Sequence, residues 1–162
     1  MSPKALASPL LAGATAPSLP HGEIIMDLIL PEQASRLRTQ FEDESVDQPP
    51  LVKLFCPWGA GTWLLSGLTE DDALGLGLCD LGLGFPELGY VSLDELRRIK
   101  GPFGLTIERD LSFEALTTLT VYAEAARMAE GVVEDRASLE AAFARLERRA
   151  KEDRRVLKAR ML

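Results

Sequence analysis

Short apolar runs bounded by turn residues fill the middle of the chain, at residues 51–56, 62–65, 74–79 and 88–91. The run at 74–79 alternates leucine with glycine or cysteine, and this period of two is typical of a strand with one apolar face. The glycines leave the other face bare, so that a neighbouring segment can pack closely against it. Because no crossover helix fits between the runs, they predict an antiparallel meander.

Helical periodicity flanks these runs. Residues 31–41 begin with proline and carry apolar residues at spacings of three and four, which predicts a helix. Ser92 and Glu95 form the S-x-x-E pattern of a capping box, so a second helix begins there. Residues 105–108 alternate again and predict a last strand, and residues 116–130 predict an amphipathic helix.

The C-terminal segment predicts a long, charged helix. Beyond Asp135, apolar residues recur at spacings of four and three, and Asp153 interrupts this seam. Self-association through the seam would make the protein a homodimer. The seam residues are Leu139, Phe143, Leu146, Ala150 and Leu157.

Together these elements predict an α+β fold. We expect a mostly antiparallel sheet of about four or five strands, with helices packed on it and a protruding C-terminal helix. The chain divides into a disordered tail at residues 1–25, a core domain at 26–131 and the charged helix at 132–162. This interpretation leaves either Met1 or Met26 as the native start.

Charge is distributed unevenly along the chain, whose net charge is −7. Residues 21–130 contain 19 acidic and 8 basic side chains, whereas residues 131–162 contain 6 acidic and 9 basic ones. An acidic body repels phosphate backbones and favours basic partners, although a net charge of this size also serves ordinary solubility. The basic segment indicates a second type of partner.

The sequence is poor in the side chains that catalysis and metal binding use. The single histidine, His21, lies in the predicted tail, and Cys56 and Cys79 stand alone in strand-like runs. A nucleophile activated by histidine and a histidine-based metal site are therefore not expected, and we predict no metal and no cofactor. We expect two buried thiols rather than a disulfide. No apolar run is long enough to span a membrane, so we expect a cytoplasmic protein.

The most distinctive string of the chain is G-L-C-D-L-G-L-G-F-P-E-L-G-Y-V-S-L-D-E-L, at residues 77–96. With the blocks at 51–55, 61–65 and 101–110, it resembles the bacterial family of domain of unknown function 2958 over residues 27–130. The resemblance implies a bacterial protein, often encoded on plasmids and other mobile elements near antirestriction genes. It supplies no activity to transfer, and it does not extend to the tail or to the C-terminal helix.

Asp80 and Glu87 are the charged candidates within this string. As a pair they suit a metal ion or acid–base chemistry, with Glu108 as a third carboxylate. The alternative is structural: Asp80 ends a strand by accepting hydrogen bonds from backbone amides, and Glu87 caps the turn or pairs with Arg109. Two carboxylates alone underfill the ligand shell of Mg²⁺ or Ca²⁺, which favours the structural interpretation.

The remaining candidates lie on or beside predicted strands. Trp63 and Tyr90 form either an aromatic binding wall or part of the core. Glu108 and Arg109 belong to a charged triplet with Asp110, which is either functional or the solvated face of an edge strand.

The leading functional hypothesis is a non-enzymatic binding or regulatory protein of a bacterial mobile element that acts by protein–protein contact. In its sharper form, the acidic surface mimics DNA and occupies a basic nucleic-acid-binding or defence protein, as an antirestriction factor does. Two alternatives stay open. One is a small metal-dependent hydrolase that uses Asp80 and Glu87, and the other is nucleic-acid binding through the basic C-terminal helix.

Overall fold

A computed structural model of the protein describes residues 27–43 and 45–161, so the tail predicted at residues 1–25 lies outside the described residues. In the described part of the chain, five strands form one antiparallel sheet. They are β1 (Val52–Phe55), β2 (Thr62–Leu68), β3 (Leu74–Asp80), β4 (Glu87–Ser92) and β5 (Glu108–Arg109). Their order across the sheet is β4-β3-β2-β1-β5. The first four strands form a meander, and β5 pairs with β1.

Within the same residues, four α-helices complete the α+β fold that the sequence predicts. They are α1 (Pro31–Glu42), α2 (Leu93–Arg98), α3 (Leu119–Ala129) and α4 (Arg136–Arg160). The expected cap of α2 is present, because Ser92 Oγ accepts a hydrogen bond from the Glu95 N–H at 3.3 Å. Asp135 caps α4 in the same way, accepting from the Ser138 N–H at 2.9 Å.

The last strand begins later than the sequence predicts. The 3₁₀ turn Pro102–Gly104 brings the chain back on itself, and the Gly101 N–H donates to the Leu105 carbonyl at 2.8 Å. The residues that follow this turn therefore pair locally, and pairing with β1 starts only at Glu108. The alternation at 105–108 correctly predicted a strand in this part of the chain, but it did not show where the strand begins or which strand it pairs with.

Alternate residues of the sheet supply two separate hydrophobic cores. Trp63 and Leu65 of β2 lie in the core beneath α1 and α2, together with Leu54 of β1. Leu64 faces the opposite side and packs with Leu78 against α3. The protein is therefore layered as α1 and α2, then the sheet, then α3, with the first half of α4 outside α3.

Gly77 lies where the backbones of β2 and β3 approach most closely. A Cβ atom at this position would lie 2.0 Å from the Leu64 carbonyl oxygen and 2.9 Å from Leu65 Cα. A bulge in β2 between Leu65 and Gly67 shifts the register at this point. The bare glycine face of β3 thus accommodates the backbone of its own neighbouring strand.

α4 has two parts with different surroundings. Leu139 and Ala142 are buried against α3, and Arg145 Nε lies 3.0 Å from Glu124 Oε1. From Glu147 onward, every described residue of the helix is exposed, so α4 protrudes from the body. No helix in the described part of the chain is both long enough and apolar enough to cross a membrane.

Candidate interaction surface

Asp80 ends β3 and is 5% exposed. Its Oδ1 accepts a hydrogen bond from the Gly82 N–H at 2.8 Å, and its Oδ2 accepts one from the Val132 N–H at 2.9 Å. Both carboxylate oxygens therefore hold backbone amides, one in the loop after β3 and one in the segment after α3. This is the arrangement that the structural interpretation of Asp80 requires.

The sheet register separates Asp80 from Glu87. Cys79 pairs with Glu87, so these two side chains share one face of the sheet, and Asp80 points to the other. Asp80 and Glu108 do share a face, through the row Glu108–Phe55–Thr62–Asp80, but three strand spacings, about 14 Å, lie between them. The three carboxylates are not brought together. Among the described residues, no group of three or more His, Cys, Asp or Glu side chains is placed to hold a metal ion.

Arg109 lies at the edge of the sheet opposite to Glu87, because β5 and β4 are the two outer strands. The two residues therefore do not form the ion pair that the sequence analysis offered. Arg109 is 8% exposed, and its Nη1 donates to the Asp27 carbonyl oxygen. It attaches the segment before α1 to the sheet. Glu108, partly exposed, stands opposite Phe55 of β1.

Lys53 of β1 lies close to two carboxylates, those of Asp110 and Glu134, and a lysine beside acids is a candidate for acid–base chemistry. Lys53 contacts Glu134, and its Nζ lies 3.4 Å from Asp110 Oδ2. Burial by itself would lower the pKa of Lys53, but the two carboxylates outweigh burial and raise that pKa above its usual value. A lysine held in its charged form joins β1 to the segment before α4 and is unsuited to act as a base.

Trp63 and Tyr90 do not form a common aromatic wall. Trp63 is 5% exposed and belongs to the core beneath α1 and α2. Tyr90 pairs with Leu76 on the outer strand, is mostly exposed, and packs edge-on against Phe41 with 6.4 Å between the ring centroids. Trp63 is therefore a core residue, and Tyr90 lies at the surface.

Both thiols are free and partly buried. Cys79 stands opposite Trp63 in the sheet, and burial raises the pKa of its thiol. A raised pKa keeps the thiol protonated and poorly reactive, so Cys79 acts as a small hydrophobic residue.

The loop after β3 and the strand β4 expose five large apolar side chains within ten residues. Each is more than half exposed: Leu81 62%, Leu83 72%, Phe85 81%, Leu88 52% and Tyr90 59%. We call these five residues the β4 surface. β4 is an outer strand, so the backbone groups on its free side have no strand partner among the described residues. An exposed edge strand with apolar side chains is a typical site of protein association.

Local geometry presents the β4 surface outward. Gly82 and Gly84 adopt φ values of 74° and 83°, which turn the loop sharply between the two strands. Asp80 fixes the start of the loop, and a Cβ on Gly84 would lie 4.0 Å from Glu130 Cβ at the end of α3. Glu130 and Glu87 therefore border the apolar residues with acidic charge.

Sequence reasoning identified Tyr90 and Glu87 but missed the leucines and Phe85. Residues 81–85 alternate apolar residues with glycine as residues 74–79 do, so periodicity does not separate this loop from a strand; Pro86 is the local signal that the strand has ended. An apolar residue in a glycine-rich loop is a candidate for exposure, and three of the five lie in this loop.

The seam predicted for a homodimer is divided between two environments. Leu139 and Leu146 pack toward α3 of the same chain. Phe143, Ala150 and Leu157 are exposed. A dimer through α4 would thus use only part of the seam.

A family model described as protein of unknown function (DUF2958) matches residues 28–133. This range contains the complete sheet and the β4 surface, and it ends before α4. No curated protein and no solved structure matches the chain.

Proposed function

Because the chain belongs to the DUF2958 family, whose description assigns no activity, we propose from its surface that it is a binding protein that acts by contact with a protein partner. The β4 surface is the contact site. One observation carries this proposal: an outer strand and its loop, both within the family match, expose five large apolar side chains.

The partner we propose adds an extended segment beside β4. The free side of β4 offers backbone N–H and C=O groups that such a segment can pair with, as in other complexes formed by strand addition. Leu88 and Tyr90 are two residues apart and lie on one face of the strand, where they provide side-chain contacts. Phe85 is an aromatic anchor of the kind that dominates the energy of protein interfaces.

The charge of the body indicates a basic partner. Residues 21–130 carry a net charge of −11, and Glu87 and Glu130 border the apolar residues. Complementary charge steers such a partner and excludes nucleic acid from the same surface. In its finer form, the proposal is that the partner is a basic nucleic-acid-binding or defence protein, and that this chain is a DNA mimic or antirestriction-type factor of a bacterial mobile element.

Exposed acids support the finer form at one end of the sheet. Asp71 and Asp72 lie in the turn between β2 and β3, and Asp94 and Glu95 begin α2 beside that turn, since the Leu93 N–H donates to the Ala73 carbonyl at 3.1 Å. Asp72 pairs with Arg38 and Asp94 with Arg97, so Asp71 and Glu95 are the acids that offer a basic partner on β4 a negative charge at this end.

The hydrolase alternative is not proposed. It requires Asp80 and Glu87 to converge, and the register of β3 and β4 directs them to opposite faces.

Site-specific photo-crosslinking in the bacterial host tests the proposal. A benzophenone amino acid at position 88 is expected to crosslink one specific protein, and the same group at Ser35, exposed on α1, is the matched control. The crosslinked protein is then purified and titrated with the unmodified chain. Leu88→Lys is expected to weaken this binding by roughly tenfold to a hundredfold, as for residues at the centre of an interface.

Leu111→Lys is the control substitution, because Leu111 is equally apolar, 77% exposed, and follows β5 at the other edge of the sheet. Binding that is unchanged by Leu88→Lys, or weakened as much by Leu111→Lys, would exclude the β4 surface. Competition with a DNA duplex tests the finer form separately. If the partner binds the duplex and this chain at the same time, the chain does not act as a DNA mimic. That result would reject the finer form of the proposal and leave the contact at the β4 surface in place.

A further inference from the structure

The second half of α4 protrudes from the described body. Residues 147–160, which we call the α4 arm, are all exposed and extend beyond the last residues that pack on α3. At 1.5 Å per residue, the arm is about 21 Å long. Isolated helices of this length are marginal in water, so a helix of this kind gains stability when another surface covers it.

The arm is the basic part of an acidic protein. It carries 7 basic and 3 acidic side chains, a net charge of +4, against −11 for residues 21–130. Four of the basic residues recur at spacings of three, four and three, which places them along one face of the helix. They are Arg148, Lys151, Arg155 and Lys158.

Among the described residues, the arm pairs with its own body only at its start, through Arg149. Leu139 and Ala142 hold the first half of α4 on α3, and Glu124 contacts Arg145 and Arg149 of α4 at 3.0 and 3.7 Å. Because α4 is one uninterrupted helix from Arg136 to Arg160, the arm continues away from the acidic body instead of folding back onto it. Beyond Arg149, the described body therefore offers the arm no acidic partner.

We propose that the α4 arm docks on the acidic body of a second copy of this chain. Charge complementarity favours this occupant, since every copy brings both the +4 arm and the −11 body. Pairing of two arms through Ala150 and Leu157 brings two +4 segments together and is opposed by their repulsion. The contact is heterologous, an arm on a body, so it forms reciprocal dimers or longer chains of copies.

This inference uses none of the residues of the β4 surface and does not depend on the proposed function. A nucleic acid is the other class of partner that a basic helix could take. Glu147, Glu152 and Asp153 within the arm weaken its attraction for a phosphate backbone, and the arm is joined to a −11 body, so we favour the second copy.

Sedimentation of the purified full chain tests the proposal. The protein is expected to self-associate at about 50 mM NaCl, and the association is expected to weaken by roughly tenfold or more at about 500 mM NaCl, because the ion pairs are screened. Reversal of Arg148, Lys151, Arg155 and Lys158 to Glu is expected to leave a monomer. All four positions are exposed, so the full chain retains its packed core.

A charge-swap experiment identifies the surface that receives the arm. Reversal of three exposed body acids to Lys, at Glu42, Glu70 and Glu95, is also expected to abolish self-association. Neither variant is expected to associate with itself, but a mixture of the two is expected to associate, because the unchanged arm of the body-reversed chain meets the unchanged body of the arm-reversed chain. Each variant mixed with the unchanged protein is expected to form a one-sided complex. Leu157→Gln, which keeps the charge, is expected to have little effect.

Three results would overturn the proposal. The first is a protein that stays monomeric at low salt. The second is association that persists in the arm-reversed variant, or that is lost in Leu157→Gln, which would indicate pairing of the seams. The third is a monomeric protein that shifts a DNA duplex through the same four basic residues, which would assign the arm to nucleic acid.

Discussion

β3 and β4 are neighbouring strands whose paired leucines and glycines have opposite environments. Leu78 of β3 and Leu88 of β4 face each other across the strands, yet Leu78 is fully buried and Leu88 is 52% exposed. Gly77 and Gly89 are also cross-strand partners. A Cβ on Gly77 would collide with the backbone of β2, whereas a Cβ on Gly89 would meet no atom within 4 Å.

The contrast shows that place in the sheet, and not apolar content, decides what a strand does. β3 lies between β2 and β4 and is covered by α3, so its side chains stabilise the fold. β4 has a strand neighbour on one side only among the described residues, and its Leu88 and Tyr90 side chains are more than half exposed. Matched substitutions in the two strands separate stability from binding.

The largest difference is expected between the two glycines. Gly77→Ala places a methyl group 2.0 Å from the Leu64 carbonyl oxygen, so the backbone of two strands must move. We expect a loss of at least about 4 kcal/mol in the free energy of unfolding, a large fraction of the stability of a typical domain. Gly89→Ala, with open space around it, is expected to stay within about 0.5 kcal/mol of the unchanged protein. Urea denaturation measures both, and equal losses would mean that the two strands are equally packed.

The facing leucines come next. Leu78→Ala leaves a cavity in the core under α3, and we expect it to lower the free energy of unfolding by about 3 kcal/mol. Leu88→Ala is expected to change that free energy by less than about 1 kcal/mol, because about half of its side chain is already in water. Thermal and urea unfolding of the two variants compare them directly. A loss at Leu88 that matches the loss at Leu78 would show that β4 is buried, for example within a stable oligomer.

The two carboxylates of the family string give a smaller contrast. Asp80→Asn replaces one accepting oxygen with an NH₂ group that faces a backbone N–H donor, so we expect a loss of about 2 kcal/mol. Glu87→Gln removes an exposed charge and is expected to be neutral within about 0.5 kcal/mol. Hydrogen exchange at the Val132 amide is expected to accelerate in Asp80→Asn alone. Unchanged exchange there would show that Asp80 does not hold the segment after α3.

The same division between inner and outer positions applies to α4, where the effect depends on pH. The hydrogen bond from Arg127 lowers the pKa of Glu124, and the charges of Arg127, Arg145 and Arg149 act in the same direction. The unfolded chain then binds a proton at a higher pH than the folded one. This stabilisation is present above the usual carboxyl value of 4.5 and is lost as the pH falls through the lowered pKa.

Glu124→Gln removes this source of pH dependence. We expect it to lower the free energy of unfolding by about 1 kcal/mol at neutral pH, a modest value because the three arginines are roughly half exposed. As the pH falls through the lowered pKa of Glu124, the variant and the unchanged protein are expected to converge. Glu152→Gln on the α4 arm is the control, since Glu152 is largely exposed, and it is expected to show no such convergence. A pH-independent difference at Glu124 would indicate a packing effect.

Much of the fold was readable from local pattern. Periodicity predicted the meander and the C-terminal helix, and the S-x-x-E pattern predicted the cap at Ser92. These features depend on residues that are close in the chain. Pairing of distant segments was not readable. The late start of β5 and its place beside β1 follow from the turn at Pro102–Gly104, and the opposite placement of Asp80 and Glu87 follows from the strand register.

The amino-acid sequence alone predicted the kinds of secondary structure, the unequal charge of the acidic body and the basic C-terminal helix, and the family. Each of these is a local or summed property of the chain. Which apolar residues are covered depended on packing. Leucines at 78 and 88 have the same side chain, and their burial differs because three-dimensional neighbours remove one from water and leave the other in contact with it. The surface on which the proposed function rests therefore emerged only from the folded arrangement of the strands.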